Sequence, residues 1–133
     1  MISGIGVDTV DVCRFNQWCE YSYTRLSRIF STQEIDYCLS SHALSAQRFA
    51  VRFAAREAFF KALSSAYPDH TVPFLTVCRK SRIIKENGRP IFIFDWSCIH
   101  QLLYDKIFPT VHVSLTHTQT SATVFVIIER RLQ

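Results

Sequence analysis

Several things are missing from this chain, and each absence narrows what it can be. No apolar run approaches the roughly 20 residues that cross a bilayer as a helix. Five cysteines, an odd number, lie scattered at positions 13, 19, 38, 78 and 98 without any CxxC spacing. That argues against a zinc site or a disulfide framework and for reduced thiols in a cytoplasmic protein. The N-terminus has no basic segment, and its apolar start is broken at Asp8, so it does not read as a signal peptide. No internal repeat, low-complexity tract or linker interrupts the chain, and residues 1–133 read as one domain.

What is present describes a packed fold. Hydrophobic residues make up 48% of the chain and eleven are Phe, which excludes disorder. Lys and Arg number 15 against 11 Asp and Glu. This modest positive balance favours polyanionic or acidic partners without choosing between nucleic acid, a phosphorylated cofactor and an acidic protein.

Residues 2–7 predict a buried strand, with Gly4 and Gly6 allowing close backbone approach and Asp8 at or just past its end. An amphipathic, aromatic segment follows to about Tyr23. Ser31 and Glu34 form a capping box, which starts a short helix running to about Leu39. The stretch 47–66 has no Gly or Pro and many Ala, and predicts a long central helix that Pro68 stops. From Leu75 an extended run leads to Asn87-Gly88, a strong hairpin signal, and then to a second run, IFIF. Residues 97–108 predict a helix closed by Pro109, and 110–116 and 121–129 predict two strands around a polar turn. The fold class is α+β: an antiparallel sheet, formed mainly by the second half, packed with a long central helix and shorter ones.

At about 100° per residue, the helix face carrying Glu57 also carries Ala50, Phe53, Ala54, Phe60, Lys61 and Ser64. Arg48 and Arg52 fall on the far side, with Arg56 about a quarter-turn away. A carboxylate on so apolar a stripe either pairs with Lys61 at i,i+4, contributing about 0.2–0.5 kcal/mol, or holds a metal ion. Asp8 is similarly open between helix N-cap and ligand. His117 is either a turn residue bonded to its own loop or a ligand contact.

Four blocks bear on these alternatives. GIGVDTVDVCRF, RFAAREAFFKAL, ENGRP and VSLTHT resemble, in order and spacing over nearly the whole chain, the holo-[acyl-carrier-protein] synthases. These are the small 4′-phosphopantetheinyl transferases. The resemblance implies that fold, and transfer of phosphopantetheine from coenzyme A to a serine of apo acyl carrier protein. Adenosine 3′,5′-bisphosphate is released, in support of fatty acid biosynthesis. It implies Asp8 and Glu57 as Mg²⁺ ligands, with Lys61 completing the catalytic set. It implies Lys61, Ser64, Arg89, Pro90, Ser114 and His117 at coenzyme A, and Arg14, Arg25 and Arg28 at the carrier's acidic helix. The base is open between Asp8, acting through a water on the ion, and a hydroxide on the ion. Family members are generally homotrimers that share active sites between protomers. Two positions depart from the family pattern: Arg56 replaces Lys, and a Gly-rich KALGTG turn is replaced by KALSSAYPD. Ser64 and Ser65 keep hydroxyl donors there but lose the glycines' freedom.

The competing expectation is a nucleic-acid-binding module without catalysis, in which Arg48, Arg52 and Arg56 track phosphates along one helix. Against it, the basic residues are not concentrated in one patch.

Overall fold

The computed structural model describes every residue except 100, 101, 103–105, 132 and 133. Strand β1 spans Ile2–Asp11 and pairs antiparallel with β5, Ser121–Glu129. β5 pairs in turn with β4, Thr110–His117, giving a three-stranded sheet in the order β1-β5-β4. A separate hairpin joins β2, Ser81–Glu86, to β3, Arg89–Phe94, turning on Asn87 and Gly88 with φ of 50° and 75°. The helices are α1, Tyr23–Leu26; α2, Thr32–Leu39; α3, Ser45–Ala66; and α4, Phe74–Lys80.

Helix α3, 22 residues long, lies on the inner face of the three-stranded sheet. Strand alternation puts Gly4, Gly6, Asp8 and Val10 on the β1 face toward it. The approach is as close as backbones allow. A Cβ on Gly6 would meet the Ala58 carbonyl oxygen at 1.8 Å, and one on Gly4 would meet that of Ala62 at 2.2 Å. The scarce glycines and the alanines of α3 are thus two halves of one contact. Ala122, Val124, Val126 and Ile128 of β5 complete that layer, all fully buried. Rings fill both flanks of α3. Phe15, Trp18, Phe30, Phe49 and Phe53 pack on one side, and Phe59, Phe92, Phe94 and Trp96 on the other.

Three expectations shift. β1 continues to Asp11, so Asp8 sits inside the strand opposite Val124 and is not a helix cap. Sheet pairing with β5 sustains the strand past the polar residue that suggested its end. The segment Phe74–Lys80 is helical, and extended structure begins only at Ser81. Val77 and Cys78, fully buried on that short helix, show tertiary packing overriding β propensity. Of the helix expected over 97–108, Trp96–Cys98 form a 3₁₀ turn, Leu102 is helical and 106–108 are not. Residues 100, 101 and 103–105 lie outside the described residues. The capping box is present as expected: Ser31 Oγ accepts from the Glu34 amide and Glu34 Oε1 accepts from the Ser31 amide.

Candidate active site

The buried side of α3 also holds its most polar contact. The guanidinium of Arg56 is fully buried and uses all five of its N–H groups. Two go to the carboxylate oxygens of Glu34, at 2.9 and 2.7 Å. The others go to the carbonyls of Cys78, Arg52 and Ser81. Burial works against ionisation of Glu34, but Arg56 and Ser31 outweigh it and hold the carboxyl below its ordinary value. This pair ties α3 to α2 and to the α4–β2 junction. Its neighbour Glu57 consequently faces the other way.

Toward β1, three charged groups converge. Lys61 Nζ donates to Asp8 Oδ1 at 2.9 Å and to the Val7 carbonyl at 3.0 Å. Asp8 Oδ2 is buried and finds no partner among the described residues. Glu57, one turn before Lys61, is pushed up to about 7, first by desolvation and then by hydrogen bonding and repulsion from Asp8. Arg14 and Lys61 oppose that shift. Two residues 49 positions apart therefore bring their carboxyl groups close enough to perturb one another. A buried, orphaned carboxylate oxygen facing a second carboxyl marks a place suited to a hard cation. Among the described residues no cluster of three or more His, Cys, Asp or Glu forms. That incomplete set fits an ion such as Mg²⁺, which usually keeps waters and substrate phosphates in its shell.

A second focus lies toward the N-terminal end of α3. A cavity of about 380 Å³ is lined by Gln47, Arg48 and Arg52 of α3, by Tyr37, and by Lys85, Pro90 and His117 from the strands. Arg48, Arg52 and Lys85 surround the Tyr37 ring at 4.1, 4.6 and 5.3 Å. Beside it a larger cleft of about 850 Å³ runs between the β2–β3 hairpin and β4, lined by Arg89, Pro90 and Thr110–Val113. The structure thus brings His117, Pro90 and Arg89 to adjoining hollows. Ser114 does not join them. It is exposed on the other face of β4, opposite Phe125. Ser64 lies one helical turn past Lys61, exposed, its hydroxyl bonded to the Phe60 carbonyl.

The three arginines assigned to a carrier are all exposed. Arg14 lies over the rings of Phe15 and Phe53 at 5.6 and 5.7 Å, beside the acidic pair, and Arg25 stacks on Tyr21 at 3.7 Å. The arginine series proposed to track nucleic acid is no exposed row. Arg56 is buried, Arg52 is nearly so, and Arg48 bonds to the Tyr37 carbonyl and the Ser40 hydroxyl.

Residues 4–123 match the 4′-phosphopantetheinyl transferase superfamily. The chain belongs to this superfamily. It is 37% identical to a holo-[acyl-carrier-protein] synthase of Treponema denticola, covering 97% of this chain and 99% of that one. It is 36% identical to the enzyme of that name from Geobacter metallireducens, over 98% and 99% of the two chains. The fold also matches a Bacillus anthracis holo-(acyl-carrier-protein) synthase solved with coenzyme A (3′,5′-ADP). There the TM-score is 0.74 at 22% identity, over 98% and 99% of the chains.

Within this superfamily member, the residues that sequence reasoning missed are those of the cationic cavity. On the helix in isolation Arg48 and Arg52 lie on the far side of α3 from Glu57. Only the arrival of the hairpin and of β4 gives that far side a cavity. The pairing of Arg56 with Glu34 was also hidden, although Glu34 had been read correctly as a capping residue. Its second role needed α2 folded against α3.

Proposed function

We infer that the chain is a holo-[acyl-carrier-protein] synthase, moving the 4′-phosphopantetheine group of coenzyme A onto a serine of apo acyl carrier protein. The observation that carries this reading is the convergence of Asp8 and Glu57, with Lys61 bonded to one of them, inside a chain of this superfamily.

In the reaction the serine oxygen bonds to the phosphorus that carries the pantetheine arm. The pyrophosphate bond to the nucleotide half breaks, and adenosine 3′,5′-bisphosphate leaves. Asp8 and Glu57 would hold Mg²⁺, which supplies positive charge against the pyrophosphate and the charge developing on it. Lys61 Nζ, about half exposed, stands where it can offer a proton or a charge to the departing oxygen. Arg48, Arg52, Lys85 and His117 bind the remaining phosphate of coenzyme A, the 3′-phosphate, in the cavity, with Arg89 and Pro90 at its edge and Ser64 near Lys61. Catalysis of this kind is mainly positioning and electrostatics, and a site built from carboxylates and cations is equipped for it. Arg14, Arg25 and Arg28 meet the acidic helix of the carrier. Rim charges of this type act chiefly on association rate and salt dependence.

The sheet's outer face supports a homotrimer. Ile5 and Val7 are 51% exposed and Phe125 is 40% exposed, side by side on β1 and β5. Such a contiguous apolar surface is normally covered. Packing a second copy there brings its Ser114 face to the interface, so that neighbouring protomers share each site. Five free thiols, two of them buried, support a cytoplasmic setting.

The test is to incubate the protein with coenzyme A, Mg²⁺ and apo acyl carrier protein and to weigh the carrier by mass spectrometry. Gain of one phosphopantetheine, abolished by chelation and by Glu57→Gln, supports the assignment. No gain with the well-folded wild type overturns it.

A further inference from the structure

We propose that Gln47 is a positioning residue that holds His117 as its Nε2–H tautomer, so that this N–H serves as a neutral donor to a phosphate of coenzyme A. The inference rests on the reading of the cavity given above. Its basis is one side chain with two partners. The amide nitrogen of Gln47 lies 3.3 Å from the Thr118 carbonyl oxygen and 2.6 Å from His117 Nδ1. A carbonyl oxygen only accepts, so the end of the amide that faces it must be the NH₂ group. This contact orients the amide with its NH₂ end toward the carbonyl, an assignment that the tautomer measurement decides. Its second N–H then points at Nδ1, and a ring nitrogen that accepts a hydrogen bond carries no proton. The single proton of the neutral ring is therefore on Nε2.

Both residues line the 380 Å³ cavity, together with Arg48, Arg52 and Lys85. The cavity's positive charge does not depend on His117, whose part is directional. Gln47 sits in the first turn of α3, while His117 ends β4, 70 positions away, and Thr118 follows it. One amide thus pins the ring to the helix and selects its tautomer at once. Asparagine would fall short by a methylene, and a carboxylate at this position would demand the opposite proton placement.

The ligand-free protein, labelled with ¹⁵N in its histidines, reports the tautomer directly by long-range proton–nitrogen NMR at a pH above the ordinary imidazole range. His117→Ala identifies the resonances. The expected wild-type pattern is a protonated Nε2 and a bare Nδ1, and Gln47→Glu is expected to move the proton to Nδ1. A wild-type ring with its proton on Nδ1 overturns the proposal. In the assay, Gln47→Leu is expected to raise KM for coenzyme A about two- to tenfold, as for one lost hydrogen bond, with kcat little changed. The same substitution in a His117→Ala background is expected to add nothing. Effects that multiply overturn the positioning role. If His117→Ala leaves KM for coenzyme A unchanged, the coenzyme A half of the proposal fails, and the NMR result separates that failure from an error in the tautomer.

Discussion

Replacing Arg56 with methionine tests the central packing argument. The side chain is fully buried and its partner Glu34 is 2% exposed, so no water replaces the five lost hydrogen bonds. Removing one member of a buried ion pair leaves the other charged and unpaired, at a cost of about 3–5 kcal/mol. A domain has only about 5–15 kcal/mol in hand, so Arg56→Met is expected to lose a large share of its stability. Urea unfolding followed by tryptophan fluorescence reads this, since Trp18 and Trp96 both pack in aromatic clusters beside α3. Protein concentration is held constant, so that mass action does not enter the comparison. The pH dependence carries the sharper test. In the wild type Glu34 titrates below its ordinary 4.5, so its contribution is complete above that value and is lost as pH falls through the folded one. In Arg56→Met the paired cation is gone and only Ser31 and Arg52, 3.9 Å away, oppose burial, so the carboxyl moves up and the sign reverses. That variant gains relative to wild type as pH falls. Glu34→Leu combined with Arg56→Met removes both charges and is expected to be more stable than Arg56→Met alone. A deficit in Arg56→Met that is independent of pH, or a double variant weaker than both singles, would refute the reasoning.

Other outcomes follow from the same geometry. Gly6→Ala forces a Cβ onto the Ala58 carbonyl and is expected to cost about 1–3 kcal/mol or more by overpacking, read by urea unfolding. Gly88→Ala meets nothing within 4 Å, and its cost of about 1–2 kcal/mol comes from the positive φ alone, which leaves carrier modification intact. Val7→Asp together with Phe125→Glu places charge on the exposed sheet face and is expected to yield monomers by analytical ultracentrifugation. Mg²⁺ is expected to raise the melting temperature of wild type and not that of Glu57→Gln. An equal rise in both would count against the carboxylate pair as the ion's site.

Much of the site was legible along the chain, and for local reasons. Glu57, Lys61 and Ser64 share a helix face because 3.6-residue periodicity demands it, and tertiary packing kept that face intact. Ser31 and Glu34 announced a helix start that the structure contains, because a capping box is complete within four residues. The Asn87-Gly88 hairpin stands because its positive φ values suit those residue types. The failures are equally physical. β1 ran on through Asp8 because β5, more than a hundred residues later, supplied its hydrogen bonds. Phe74–Lys80 coiled because its apolar residues found a core to enter. Arg48 and Arg52 looked peripheral because their cavity has walls from four other elements.

The sequence by itself determined the helix that carries Glu57 and Lys61, the Ser31–Glu34 cap and the Asn87-Gly88 turn, because capping, periodicity and turn preferences act over a few residues. Only the tertiary structure decided that Asp8 meets Glu57, that Arg56 turns inward to Glu34, and that Gln47 reaches His117. Each of these is a contact between side chains distant in the chain, and burial and desolvation set its energy only once the chain has closed on itself.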